Sequence, residues 1–262
     1  MEKYLRLLKY ELKNMTQDSM SRILIAYPII IVIVSSYVIP RVFDQFGGDT
    51  SSNYIAALVL VIIFASIAPF ITAALLGFSL LDNKDDNTLD TIRVTPISLK
   101  GYVIFKSIYA YILAVLASFL VVYGTKVLSG DSYTFMGVNL FESFSFSSVL
   151  LYALVAGLFT PVFAYLLAAL AKNKIEGFAY MKSAGMIVIV PALVVIETMQ
   201  DAKQYLLGII PIFWPVKGLM TSAELLDHPS NLPFWGYGII GSIYMILLMI
   251  LFYKTFDSKI QN

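Results

Sequence analysis

The residues best placed to do work in this chain lie in LDNKDDNTLDTIRVTPISLKGYVIFK, residues 81–106. Asp86 or Asn87 can cap a helix, and Asp90 stands three residues after Asn87, as in a capping box. Thr88 to Val94 is enough chain for about two turns. Pro96 lacks an N–H and disfavours helix at Thr95, so it stops the turn there. Ser98 can then cap the helix that follows. Leu89 and Ile92, three apart, share a face, with Asp90 and Arg93 flanking it. The pattern predicts a short, charged, rigid helix whose apolar side needs a partner in water. The same residues also suit an ordinary solvated loop. What they offer is recognition, not bond-breaking.

Catalytic constellations are absent elsewhere. The chain has no cysteine, which removes disulfides and thiolate chemistry, and its one histidine, His228, cannot build a zinc site of the usual kind. Beside Pro229, His228 reads as a surface or capping residue. There is no G-x-x-x-x-G-K-[ST] phosphate loop and no H-E-x-x-H. Ser147, Ser148 and the Ser129–Gly130 pair have no histidine base within the membrane-embedded sequence. An enzyme is not expected.

The elements that must position residues 81–106 are long and apolar. The 262 residues are 59% hydrophobic and only 13% charged, with a mean hydropathy of +0.80. Soluble domains carry about 25% charged residues, so an ordinary cytosolic enzyme, a disordered chain and a nucleic-acid binder are excluded. A bilayer core takes about 20 apolar residues per helix. Spans are expected near 22–40, 54–81, 102–126, 146–171, 178–199 and 232–253, in a single domain covering 1–262. Continuously apolar segments such as LVLVIIFASIAPFITAALLGFSLL lack the alternation of a membrane barrel. The fold class is therefore an all-α integral membrane protein with six transmembrane helices.

Lys and Arg fix the expected orientation. With the N-terminus inside, 14 of the 18 basic residues fall in inner segments, which puts both termini in the cytoplasm. Residues 1–20 place Leu5, Leu8, Leu12 and Met15 at helical spacing among Lys3, Arg6, Lys9 and Lys13. They read as an interfacial amphipathic helix, or as a plain positive-inside anchor. The segment AKNKIEGFAYMK reads as a basic connector or a second cytosolic contact. The apolar but Pro- and Gly-broken stretch before the sixth span suits short re-entrant helices, with Phe213, Trp214, Phe234 and Trp235 in an interfacial belt. Pro28, Pro69, Pro161 and Pro191 fall inside spans, where each removes a backbone hydrogen bond. No Asp, Glu, Lys or Arg is expected near mid-membrane, where ion-coupled transporters keep their relays: Glu197 falls near the outer end of its span, and Lys106 and Lys182 near inner ends. Candidate path residues are Ser66, Thr72 and Ser79 on the second span and Ser183, Gly185 and Pro191 on the fifth. Small residues also serve close helix packing.

Taken together, the N-terminal segment, six spans, charged loop helix and broken outer segment resemble the membrane subunit of a type-2 ABC exporter, an ABC-2-type permease. The most specific part is Asn87, Thr88, Leu89, Asp90, Thr95, Pro96, Ser98 and Lys106, which are similar to that family's pattern of an acidic stretch, Gly/Asn-Thr-Leu-acid, Thr-Pro-apolar-Ser and a Lys opening the third span. Asp86 and Asn87 stand where many members have Glu and Gly. The resemblance implies that Asp86, Asn87, Thr88, Leu89, Asp90, Ile92, Arg93 and Pro96 form a coupling helix docked on a separate ABC ATPase. It implies a second permease subunit, identical or homologous, in the bacterial plasma membrane. ATP and Mg would sit on the ATPase and no cofactor on this chain, and the cargo would be a drug, peptide, lipid or glycan. A secondary transporter or channel without an ATPase is the alternative reading.

Overall fold

The computed structural model describes residues 19–86 and 98–261. The expected interfacial helix at 1–20 lies almost wholly outside them, as do Asn87, Thr88, Leu89, Asp90, Ile92, Arg93 and Pro96. Among the described residues the regular secondary structure is helical, apart from one two-residue ladder. Six helical segments are long and apolar enough to cross a membrane: Ala26–Gln45, Ser51–Asp85, Leu99–Tyr133, Phe146–Leu170, Lys174–Val195 and Phe234–Lys259. The protein is an all-α, multi-pass membrane protein.

The elements in chain order are α1 (Ser19–Ile33), a π-turn (Val34–Val38), α2 (Ile39–Gln45), α3 (Ser51–Asp85) and α4 (Leu99–Ser129). A short hairpin, β1 (Thr134–Phe135) and β2 (Val138–Asn139), follows. Its turn places Met136 at φ 53° and Gly137 at φ 78°, the left-handed pair that a tight hairpin requires. Then come α5 (Phe146–Gly157), α6 (Phe159–Leu170), α7 (Lys174–Ala184), 3₁₀ turns from Gly185 to Ile209, α8 (Phe213–Ser222) and α9 (Phe234–Gln261). Four helix starts, those of α3, α4, α5 and α7, follow the side-chain capping rule. Thr50 Oγ1 accepts from Asn53 N at 3.2 Å, Ser98 Oγ from Gly101 N at 3.2 Å, Ser145 Oγ from Ser148 N at 3.0 Å and Asn173 Oδ1 from Glu176 N at 2.9 Å. The Ser98 cap is the one expected from sequence.

α3 is the axis of the bundle. It packs along α6 and α4, with α5 against α4 and α9 against α6. Small residues let the backbones close up. A Cβ on Gly77 would stand 2.8 Å from Leu167 Cδ2, and one on Gly157 would stand 2.8 Å from Val115 Cγ2. α1 lies on the α3–α4 side and α9 on the other.

Two of the prolines, Pro69 and Pro40, are accommodated by neighbouring tyrosine hydroxyls. Pro69 sits inside α3 and cannot donate to Ala65 O, which accepts the hydroxyl of Tyr152 from α5 at 2.5 Å. In the π-turn Ile39 N bonds to Val34 O, which leaves the carbonyl of Ser35 facing Pro40. Tyr133 donates its hydroxyl to that carbonyl at 2.6 Å. In hydrocarbon such replacements are what make an intrahelical proline tolerable.

The fifth span departs from the expected plain helix. It is α-helical only to Ala184 and then runs as 3₁₀ turns, Gly185–Val188 and Val190–Val195, with Pro191 near the start of the second. Pro191 lacks the N–H that an α-ladder needs, so the tighter winding takes over there. Of the expected belt, Trp235 is 65% exposed, whereas Phe213 is fully buried. Phe213 joins the main core because α8 folds back onto α5 and α9.

Candidate functional site

One end of the bundle gathers the charged ends of α3, α7 and α9 around the C-terminus of α6. α3 closes with Asp82, Asn83, Lys84 and Asp85, and Asp86 caps it, its N–H bonding to Asp82 O at 2.9 Å. Lys174 Nζ lies 2.8 Å from Asp82 Oδ1, and Lys174 N donates to Asp85 Oδ2 at 2.9 Å. Lys84 Nζ donates to Ala171 O at 3.3 Å, and Lys259 Nζ to Ala169 O at 2.7 Å. Ala169 lies in the last turn of α6 and Ala171 is its C-cap, the end of a helix where carbonyls lack partners and cations are favoured. The α6–α7 connection is thus held by α3 on one side and α9 on the other.

A polar pocket joins α3 to α4 just inside this end. Lys106, 5% exposed, donates to Ser79 Oγ at 2.7 Å and lies 4.9 Å from the centre of the Tyr102 ring. Asn83 Nδ2 donates to the Tyr102 hydroxyl at 3.0 Å. Ser79, expected on a substrate path, is here the acceptor for a buried lysine. These groups flank both ends of the segment 87–97, since α3 leads into it and α4 leads out. Asp86 is exposed at its start.

The remaining path residues are not brought together. Ser66 is fully buried inside the bundle and donates to Ile62 O in its own helix at 2.8 Å. Pro191 is buried in the 3₁₀ stretch. Thr72 donates to Ala68 O at 3.2 Å and meets the Tyr27 hydroxyl at 2.9 Å. Thr72 and Tyr27 lie at the wall of a cavity of about 180 Å³ between α1, α3 and α4, lined otherwise by Pro28, Ile29, Leu75, Leu113, Leu116, Ala117 and Leu120. Sequence reasoning missed this groove, whose α4 wall belongs to a stripe of exposed residues recurring every fourth position: Ile104, Ile108, Ile112, Leu116 and Leu120. On the fifth span Lys182 and Ser183 are exposed, and Lys182 has no ion pair among the described residues.

The opposite end carries a buried polar network. Lys217 is 1% exposed and donates to Leu226 O at 3.3 Å. Asn231 Nδ2 donates to the same carbonyl at 2.7 Å, and Gln204 Nε2 to Asn231 Oδ1 at 3.2 Å. Burial pushes the Lys217 ammonium down to about 8, with Asp227 opposing the shift. His228 Nδ1 accepts from Ser230 N at 3.2 Å, the local capping contact expected of it. Among the described residues no group of three His, Cys, Asp or Glu side chains could hold a metal ion.

The pattern of one known family, described as "Fluoroquinolones export permease protein Rv2686c-like", matches residues 11–253. This chain belongs to that family. The match runs from before α1 into the last part of α9, so it takes in the first five spans whole and most of the sixth. Two curated members are similar over most of the chain. They are the fluoroquinolones export permease proteins Rv2686c and MT2760 of Mycobacterium tuberculosis, strains H37Rv and CDC 1551. Each is 26% identical over 216 residues, covering 82% of this chain and 77% of the relative.

Proposed function

We propose that this chain is the permease subunit of an ATP-driven exporter of amphiphilic aromatic drugs of the fluoroquinolone class. It works with a separate ABC ATPase and a second permease subunit, with both termini in the cytoplasm. The observation that carries the reading is membership of an export-permease family across residues 11–253. The cargo class is taken from the names of its relatives. The energy source is argued from chemistry: acidic side chains lie only near the span ends, so no ion relay crosses the bilayer interior. The energy of ATP hydrolysis on the partner ATPase therefore enters from outside the membrane, as mechanical work through the coupling pattern of Asp86, Asn87, Thr88, Leu89, Asp90, Ile92, Arg93 and Pro96.

Substrate passes along the fifth span in this reading. Lys182 lies about two turns beyond Lys174 and faces outward beside Ser183. A cation at that depth suits a water-lined path and complements the carboxylate that fluoroquinolones carry.

The test is Leu89→Ala. Truncating a buried anchor costs about 2–4 kcal/mol of docking, or roughly 30- to 1,000-fold in affinity. Membrane abundance should be normal, while ATPase co-purification and drug export are lost. A variant that keeps both removes the loop from the mechanism.

A further inference from the structure

The joint between the last turns of α3 and the first turns of α7 has a consequence for how work reaches the fifth span. Its outer layer is polar: the Lys174–Asp82 ion pair at 2.8 Å and the Asp85 carboxylate on Lys174 N at 2.9 Å. The second contact puts a negative charge on the N-terminus of α7, where the helix dipole favours it. Its inner layer is apolar. The Phe78 and Phe178 rings have centroids 4.4 Å apart, and α7 approaches so closely at Gly177 that a Cβ there would stand 2.6 Å from Leu81 Cδ1. Lys84 adds a strut to Ala171 O immediately before α7. One side of this joint continues directly into Asp86 and the segment 87–97. The other side is the handle of a span that changes winding at Gly185, where no neighbouring atom comes within 4 Å of a would-be Cβ. A mid-span change to 3₁₀ winding is a recognised site of bending.

We propose that Asp82, Asp85 and Lys174 are positioning residues that make the end of α3 and the start of α7 one body. Through them, force delivered at Asp86 levers the cytosolic half of the fifth span about Gly185. The inference rests on the ATP-driven reading above. It assigns the moving element of the bundle to α7, and the transmission to a joint that touches neither nucleotide nor cargo.

The chain has no native cysteine, which permits a direct test in the full complex. Asp82→Cys with Lys174→Cys removes the ion pair, and a short bismaleimide restores the tie covalently in the same protein. The readout is ATP-driven uptake of a fluorescent fluoroquinolone into inside-out vesicles, with ATPase co-purification measured in parallel. The unlinked pair should keep normal ATPase association and lose uptake about tenfold, within the usual range of coupling between sites. Linking should restore uptake. Gly177→Val, which wedges the inner layer apart, should lose uptake with the ion pair intact. The joint is refuted if the unlinked pair transports like the native chain. It is equally refuted if the linked pair stays inactive while holding its ATPase, because α3 and α7 must then part during the cycle. A native chain that brings down no ATPase and shows no ATP-driven uptake sinks the energy reading itself, and the joint with it.

Discussion

The hydroxyl of Tyr152 on α5 bonds to the carbonyl of Ala65 on α3, the acceptor that Pro69 leaves without a helical donor. Tyr152 is 1% exposed, so water cannot take its place. Tyr152→Phe should therefore cost about 1–3 kcal/mol, the price of a buried unsatisfied acceptor. Pro69→Ala restores the missing N–H, so the double variant should recover most of the loss. Thermal unfolding in detergent measures both. A Tyr152→Phe protein as stable as the native one would show that the α3 carbonyl finds another donor.

Lys217 should make stability depend on pH in the alkaline range. Its folded value, about 8, lies below the ordinary 10.5, so between these values the unfolded chain binds more protons than the native one. Stability then rises as pH increases from about 8 toward 10.5, by at most about 3 kcal/mol. Lys217→Met should be more stable near pH 7 and should lack this rise. Unfolding midpoints of both proteins across pH 7–10 decide it, and parallel curves would mean that Lys217 titrates normally.

Lys182 should discriminate cargo by charge. Losing a charge-assisted contact costs about 1.5–3 kcal/mol, which is about tenfold or more. Lys182→Gln should lower export of a fluoroquinolone acid by that factor and leave its methyl ester unaffected. Equal loss for acid and ester would assign Lys182 to lipid headgroups or folding instead.

Topology is open to labelling. Asp49 and the hairpin lie together, since Met136 N bonds to the Asp49 carboxylate, and Asp131 is exposed beside them. Single cysteines at Asp49 and Asp131 should react with an impermeant maleimide on intact cells, while one at Asp86 should not. Labelling of Asp86 alone would invert the chain.

Much of this architecture is legible from side-chain types. The six spans follow from runs such as 54–81, because hydrocarbon requires a helix and the runs are long enough. The Ser98 cap follows from its place after Pro96. The inner path of the backbone is not legible. An apolar run reads alike at 3.0, 3.6 or more residues per turn, so neither the π-turn at Val34–Val38 nor the 3₁₀ half of the fifth span leaves a periodic trace. The pairing of Tyr152 with Pro69, and of Tyr133 with Pro40, depends on contacts across 83 to 93 positions of sequence. Ser79 reads as a path residue only while its partner, Lys106 on the next helix, is out of view.

The 3₁₀ winding also fixes the reach of the fifth span. A 3₁₀ turn rises about 2.0 Å per residue against about 1.5 Å for an α-helix. Residues 185–195 therefore carry the span about 5 Å further than they would as α-helix. Lys174–Val195 then measures about 38 Å, compared with a hydrocarbon core of about 30 Å. Rewinding to α would shorten it toward about 33 Å. A rewinding of this stretch would thus change the span's reach by about 5 Å, on the scale by which bilayers differ in thickness. Vesicles of longer-chain lipid should favour the extended form and shorter-chain lipid the contracted one, so transport should pass through an optimum in acyl length.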